Sequence, residues 1–232
     1  MLGVHAREAG LARVFEMDDL PSGLGDRCRY PALSMKIVIV SDTHGLHDEL
    51  PNLEGDLLIH CGDFEHTSDI DSWFHSQNFS SVVAVGGNHD HDAFEKENEG
   101  QPVFFNATLL HDDTVQLMGL KIYGSPWVNE LEGAAYSLDH DQICDKWEAI
   151  PDDTDILVTH VPPFGILDRA RNGENWGCRL LAERVESLNL RFHCFGHVHA
   201  SYGTDDRFGI SFINASCISG GQIKNPPITI EM

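Results

Sequence analysis

The chain has 232 residues, 41% of them hydrophobic and 22% charged, an ordinary globular composition with length enough for one large domain and a sizeable core. Its 15 Lys and Arg stand against 37 Asp and Glu, and the resulting formal charge of -22 opposes attraction to DNA, RNA or anionic membranes. No apolar run approaches the ~18 to 20 residues that cross a bilayer, so a soluble protein is expected.

Residues 1–34 end in the Gly-, Pro- and Ser-containing stretch PSGLGDRCRYPALS and lack the apolar core of a secretory signal. They read as an appendage to a domain spanning residues 35–232. The six cysteines, Cys28, Cys61, Cys144, Cys178, Cys194 and Cys217, form no CxxC pair. Free buried thiols are therefore expected instead of a disulfide framework or a zinc knuckle, which favours a reducing compartment and, by default, the cytoplasm.

From Met35 onward, short runs rich in Val and Ile each stop at a small polar cluster. KIVIV leads into SDTHG, DLLIH into CGD, SVVAV into GGNHD, DILVT into HVPP, and RFHCF into GHVH. Runs of this length and β-branched content suit buried strands. Helices are expected at 67–77, 138–148 and 178–188, and their alternation with the strands gives an α/β fold. Residues 103–124 have a different texture: VFFNATLL, TVQLMG and LKIYGS read as antiparallel strands with a tight turn at 111–113. Residues 202–213 and 227–231 look similar, so the sheet content is mixed.

Functional groups in open α/β sheets gather at the carboxyl ends of strands, and five such ends here carry metal-binding side chains. Asp42 and His44 alternate in SDTHG, where an extended backbone would aim both the same way. Asp63 follows Gly62, whose conformational freedom permits a tight turn. Asn88, His89 and Asp90 follow Gly86 and Gly87. His160 ends a strand just before Val161, Pro162 and Pro163, which block helical continuation, and His197 and His199 alternate in GHVH. A single strand-end His or Asp is ordinarily a structural or turn residue. A core flanked by this many polar groups, however, needs every one of them bonded, and a metal would satisfy them together.

The order DxH, GD, GNHD, a later His and GHxH resembles the calcineurin-like metallophosphoesterases from about Met35 to the C-terminus. Finer stretches, SDTHGLHDELP, LLIHCGDF, YGSPW, THVPPFGILD, WGC and FINAS, are similar to the metallophosphoesterase-domain subgroup. The resemblance implies a four-layer αββα sandwich, two facing mixed β-sheets flanked by helices. It also implies that Asp42, His44, Asp63 and His199 hold one divalent metal ion while Asp63, Asn88, His160 and His197 hold a second, with Asp63 bridging. Nitrogen and oxygen ligands without thiolate suit Mn²⁺, Fe or Zn²⁺, with Mn²⁺ the first choice. A hydroxide bridging the ions would then attack the phosphate ester.

His89 lies beside Asn88 but outside the cage, and is the candidate to protonate the leaving oxygen. Asp90 either orients His89 or caps a following helix. Arg169, Arg171 and Arg179 are candidates to clamp a second phosphate or a nucleotide, and Trp127 and Phe164 to stack on a base. Gly177 and Cys178 are expected to open a helix, with Cys178 packing and not reacting. The expected activity is hydrolysis of a phosphodiester, a small nucleotide or cyclic nucleotide. A phosphomonoesterase or phosphoprotein phosphatase would use the same cage, the latter disfavoured because GDFEHTS stands where GDxxDRG would be. A non-catalytic interaction scaffold belongs with a decayed cage, and here all seven ligand positions are filled. The expected partner is a small phosphate ester, not a nucleic acid or a membrane.

Overall fold

The computed structural model describes residues 35–232; the expected appendage at 1–34 lies outside the described residues. In chain order the elements are β1 (Lys36–Val40), β2 (Glu54–His60), α1 (Thr67–Ser76), β3 (Asn78–Ala84), α2 (His91–Asn98), β4 (Thr108–Leu109), β5 (Asp113–Leu117), β6 (Leu120–Ser125), β7 (Val128–Asn129), β8 (Ser137–Leu138), α3 (His140–Glu148), β9 (Ile156–Thr159), α4 (Arg179–Glu186), β10 (Phe192–Phe195), β11 (Gly203–Arg207), β12 (Ile210–Asn214) and β13 (Ile228–Glu231). One sheet has the order β13-β1-β2-β3-β4, all parallel except β13. The other runs β11-β12-β10-β9-β6-β5, with a parallel centre and antiparallel edges at β11 and β5.

Side chains alternate between the faces of a strand, and here both faces are covered. Ile37, Ile39, Leu57 and Ile59 of the first sheet meet Ile122, Ile156 and Val158 of the second in the layer between them. Val38, Val40 and Leu58 point the other way, onto Ile70, Trp73 and Phe74 of α1. On the far side Tyr123, Leu157, Phe195 and Phe212 pack under Ile143 and Trp147 of α3 and Leu181 and Val185 of α4. Burial on both faces is why these strands read as unbroken apolar runs, and the product is the four-layer αββα sandwich.

The helices at 67–77 and 178–188 appear as α1 and α4, each slightly shorter than expected. α3 begins two residues after the expected start because Asp139 caps it, accepting the Gln142 backbone N–H at 2.9 Å in a capping box. Helix α2 follows Asp90, as the capping alternative requires, but its bounds are not readable from the sequence: in HDAFEKEN only Ala93 is buried, so no apolar stripe marks its extent.

Residues 103–124 depart from the antiparallel meander read in the sequence. β5 and β6 do form a hairpin, but it turns at Met118 and Gly119 (φ 53° and 81°) and not at 111–113. β4 pairs parallel with β3 in the other sheet, and the next residue, buried Leu110, donates its N–H to Ala84 O at 2.8 Å. Residues 111–112 therefore carry the chain between the sheets, a crossing set by the burial of Leu110 in the layer between them. The later segments form the β11–β12 hairpin and β13. The five cysteines among the described residues are free thiols. No helix among those residues is long and apolar enough to cross a membrane.

Candidate metal centre

Because β1, β2 and β3 are parallel, their carboxyl ends share one edge, and β9 and β10 of the second sheet finish beside it. The loops after the first three strands carry Asp42, His44, Asp63 and Asn88. Those after the other two carry His160, His197 and His199.

The loops are bent, not extended. Asp42 (φ 52°), His44 (φ 43°), Asp63 (φ 57°), Glu65 (φ 73°) and His197 (φ 65°) all adopt the left-handed conformation, which costs a non-glycine residue on the order of 1 to 2 kcal/mol. The extended alternation expected for Asp42 and His44, and for His197 and His199, is thus replaced by tight turns. Backbone hydrogen bonds hold them: Asp42 N–H to Gly62 O at 2.9 Å and His44 N–H to Asp63 O at 3.0 Å. Two glycines make the approach possible. A Cβ on Gly62 (φ 94°) would stand 2.6 Å from His160 Nδ1, and one on Gly196 would stand 2.1 Å from Asp42 Oδ2.

The seven side chains converge as two neighbouring groups. In the first, Asp42 Oδ1 lies 3.1 Å from His199 Nε2, which is 3.4 Å from His44 Nε2. In the second, Asn88 Oδ1 lies 3.0 Å from His160 Nε2 and 2.8 Å from His197 Nδ1. Asp63 Oδ2 sits between the groups, 3.7 Å from His44 Nε2 and 3.3 Å from His160 Nε2. Two of the imidazoles are also held by their other nitrogen. His44 Nδ1 faces Glu65 Oε1 at 3.0 Å and His160 Nδ1 faces Cys61 O at 2.8 Å, acceptors that fix a proton on Nδ1 and turn the Nε2 lone pair inward. Asp42 is steadied by Ser216 Oγ–H at 2.8 Å and by the His197 backbone N–H. Lone pairs aimed at one another at these separations suit cations, and the donor set fits two divalent ions of the N/O-seeking kind. Glu65 and Ser216 were not singled out in the sequence.

Charge follows the same geometry. Burial works against ionisation of Asp42, yet the hydrogen bond and charge of His199 and the charge of His160 hold its carboxyl well below the usual range. Burial likewise opposes ionisation of Asp63, but His160 brings it down to about 2. Burial disfavours charge on His160 too, but Asp63 and Asp42 lift it to about 9, so without metal it is an imidazolium donating to Asp63 and Asn88. Burial and the charge of His160 push His197 down to about 4, leaving it neutral. Cation uptake must therefore displace the His160 proton. Its raised pKa stabilises the metal-free fold below the ordinary imidazole pKa, a contribution lost as pH rises through about 9. Metal affinity is expected to weaken as pH falls below that value, and calorimetry in buffers of different ionisation enthalpy at pH 7 should register proton release on metal uptake, from His160 and from His199, where burial disfavours charge but Asp42 lifts the pKa above the ordinary value. Uptake without proton release would contradict this assignment.

Asp90 does neither thing expected of it. It occupies the N-cap position of α2 without a side-chain capping bond. Fully buried, it accepts four backbone N–H groups: Asp63 (2.8 Å) and Gly87 (2.7 Å) on Oδ2, Phe64 (2.8 Å) and Glu65 (2.7 Å) on Oδ1. Burial, then Asp63, pushes its carboxyl up, but with four donors in place a proton would have no acceptor, so we assign the carboxylate. It is a positioning residue for the Asp63 turn and not a catalytic one.

A cavity of about 800 Å³ opens over the cage, lined in part by Asp63, Asn88, His89, His197 and His199. Exposed His89 stands beside the cage, its ring 5.0 Å from that of His44 and its backbone N–H on Asp63 Oδ1 at 2.8 Å. Among the arginine candidates only Arg171 lines the cavity. Arg179 stacks on Phe164, its Cζ 3.5 Å from the ring centroid, which takes both residues away from it, and exposed Arg169 does not line it either. Trp127 is buried at 8% exposure and donates its indole N–H to Asp112 at 2.9 Å, outside this cavity. Trp176, 49% exposed, is the tryptophan that lines it, and its neighbours in the NGENWGC stretch were the available signal.

The sequence profile described as calcineurin-like phosphoesterase matches residues 35–201. Metallophosphoesterase domain-containing protein 1 of Homo sapiens is 32% identical over 230 residues, covering 85% of this chain and 71% of that protein. A UPF0046 protein of Caenorhabditis elegans is 33% identical over 216 residues, covering 84% and 74% respectively. Among solved structures, phosphopantetheinyl hydrolase of Mycobacterium tuberculosis superposes with a TM-score of 0.52 at 16% identity, covering 78% of this chain and 88% of that one, a likeness of fold.

Proposed function

This chain belongs to the calcineurin-like phosphoesterases, and from that premise we propose that it is a phosphodiesterase for small nucleotide-type esters. Family membership supports metal-dependent hydrolysis of a phosphoric ester. The observation that carries the finer reading is the charge of the cavity: apart from the cage residues, its one formally charged lining side chain is Arg171. A single guanidinium suits a diester monoanion, and the cavity volume suits a small molecule. The net charge of -22 disfavours a long polyanion.

Two divalent cations, Mn²⁺ by first choice, would neutralise the phosphate and acidify the attacking water. The chain's own residues do the rest. Asp63 holds the two ligand groups together, and Glu65 and Cys61 O orient the imidazoles of His44 and His160. His89, at the cavity wall, donates a proton to the ester oxygen as its bond to phosphorus breaks, so that a neutral alcohol leaves. His89→Ala is expected to lower turnover by roughly 10² to 10⁴-fold while metal content, measured by elemental analysis, stays at the wild-type level. Wild-type turnover in that variant would remove His89 from the mechanism.

The free thiols favour a reducing, cytoplasmic setting. The deciding experiment loads metal-free protein with Mn²⁺, Fe²⁺ or Zn²⁺ and screens mononucleotides, cyclic nucleotides, dinucleotides and bis(4-nitrophenyl) phosphate. Metal-dependent turnover with diesters ahead of monoesters is expected. Monoesters ahead of diesters would make it a phosphomonoesterase, and no turnover despite bound metal would leave a scaffold.

A further inference from the structure

We infer, resting on the small-ester reading above, that the hairpin from Asp168 to Gly177 selects the substrate, and that it recognises a planar aromatic group carried by the ester, held on the face of Trp176. The hairpin is stiff by its own bonding. Arg169 and Asn175 form an antiparallel bridge. Ala170 N–H donates to Glu174 O at 2.8 Å, Gly173 N–H to Ala170 O at 2.9 Å and Trp176 N–H to Asp168 O at 3.0 Å. At its base the buried Asp168 carboxylate accepts Gly165 N–H at 2.9 Å, Gly177 N–H at 3.2 Å and Asn175 Nδ2–H at 2.8 Å. A loop organised this way meets its ligand with little ordering left to do.

Most of its polar groups are already committed. Asn172 accepts the Glu174 N–H at 3.0 Å and donates to Glu174 Oε2 at 2.6 Å, and the Trp176 indole N–H lies 3.4 Å from the same carboxylate. What faces the cavity unspent is the ring of Trp176, an indole left 49% exposed against the hydrophobic cost. Its centroid lies 6.4 Å from the His197 ring, so a ring stacked there is joined within a few bonds to a phosphorus at the cage. Leu131, 41% exposed, adds a second apolar group to the cavity. Arg171, on the same hairpin, keeps a charge there while one of its nitrogens donates to Ser219 Oγ at 3.0 Å. Aromatic stacking is tolerant of which planar base is presented, so the hairpin selects for a base without selecting among bases.

Calorimetric binding to the Mn²⁺-loaded 232-residue chain tests this, with adenosine 5′-monophosphate and ribose 5-phosphate as probes that differ only in the base. Wild type is expected to prefer the nucleotide by roughly tenfold or more. Trp176→Ala should collapse that ratio to near one, and Trp176→Phe should keep it within about threefold of wild type, since a smaller ring still stacks. A ratio unchanged in Trp176→Ala, or no preference in wild type, overturns the inference. Because the ratio is read from binding, it holds or fails independently of turnover: diester hydrolysis with no base preference sinks the hairpin's role alone.

Discussion

Asp63→Asn is expected to abolish turnover and to lose both metal ions while the fold survives. The carboxylate does two jobs at once. Oδ2 sits between His44 Nε2 and His160 Nε2, and Oδ1 accepts the His89 N–H at 2.8 Å. An amide has one oxygen to offer. With its nitrogen in the place of Oδ2, a donor faces the ligand nitrogens and no lone pair points into the cage; with its nitrogen in the place of Oδ1, two N–H donors confront each other. Either rotamer also removes the charge shared by the two groups. A dinuclear centre contributes several kcal/mol of transition-state stabilisation, so the loss should be at least ~1,000-fold in kcat/KM. The metal-free variant should melt below metal-free wild type, because the charge and hydrogen bond that Asp63 offers the His160 imidazolium outweigh its repulsion with buried Asp42. Wild-type metal content or rates in Asp63→Asn would contradict the bridging role.

Asp90→Ala is expected to cost more stability than any other single change near the centre. It strips the acceptor from the N–H groups of Asp63, Phe64, Glu65 and Gly87, in a place closed to water. At ~1 to 3 kcal/mol for each buried donor left unmet, the sum is at least about 4 kcal/mol, a large part of the ~5 to 15 kcal/mol that holds an ordinary domain together. Denaturant unfolding of the metal-free proteins should show it as a lowered midpoint. Asp90→Asn, which keeps one acceptor oxygen, should fall between the two. A change below ~1 kcal/mol in Asp90→Ala would mean that the Asp63 turn is held by something else.

The strands were legible because burial on both faces leaves unbroken runs of Val, Ile and Leu, and a strand buried that way has few alternatives. The order of the polar clusters was legible for a topological reason: parallel strands deliver their ends to one edge, so residues 155 apart, such as Asp42 and His197, can be read as neighbours. Conformation inside the loops was not legible. Left-handed backbone at Asp42, His44, Asp63 and His197 is forced by partners on other loops, and local propensity argues against it. The same holds for side chains whose role is decided from a distance. Trp127 and Trp176 look equally available in the sequence, yet Asp112 and Lys146 close over the first. Asp90 looks like a helix cap until the Asp63 and Gly87 amides claim it. Helix α2 was legible only through that cap signal at Asp90, and its extent was not, because a helix with one buried residue has almost no pattern to show.

The seven ligands are divided between two separately bonded sheets, four from one and three from the other. Neither sheet alone carries all seven candidate ligands, so uptake of two cations would require the halves of the sandwich to be docked in register. If both cations bind there, chelation should soften the seam between the halves before it disturbs either one.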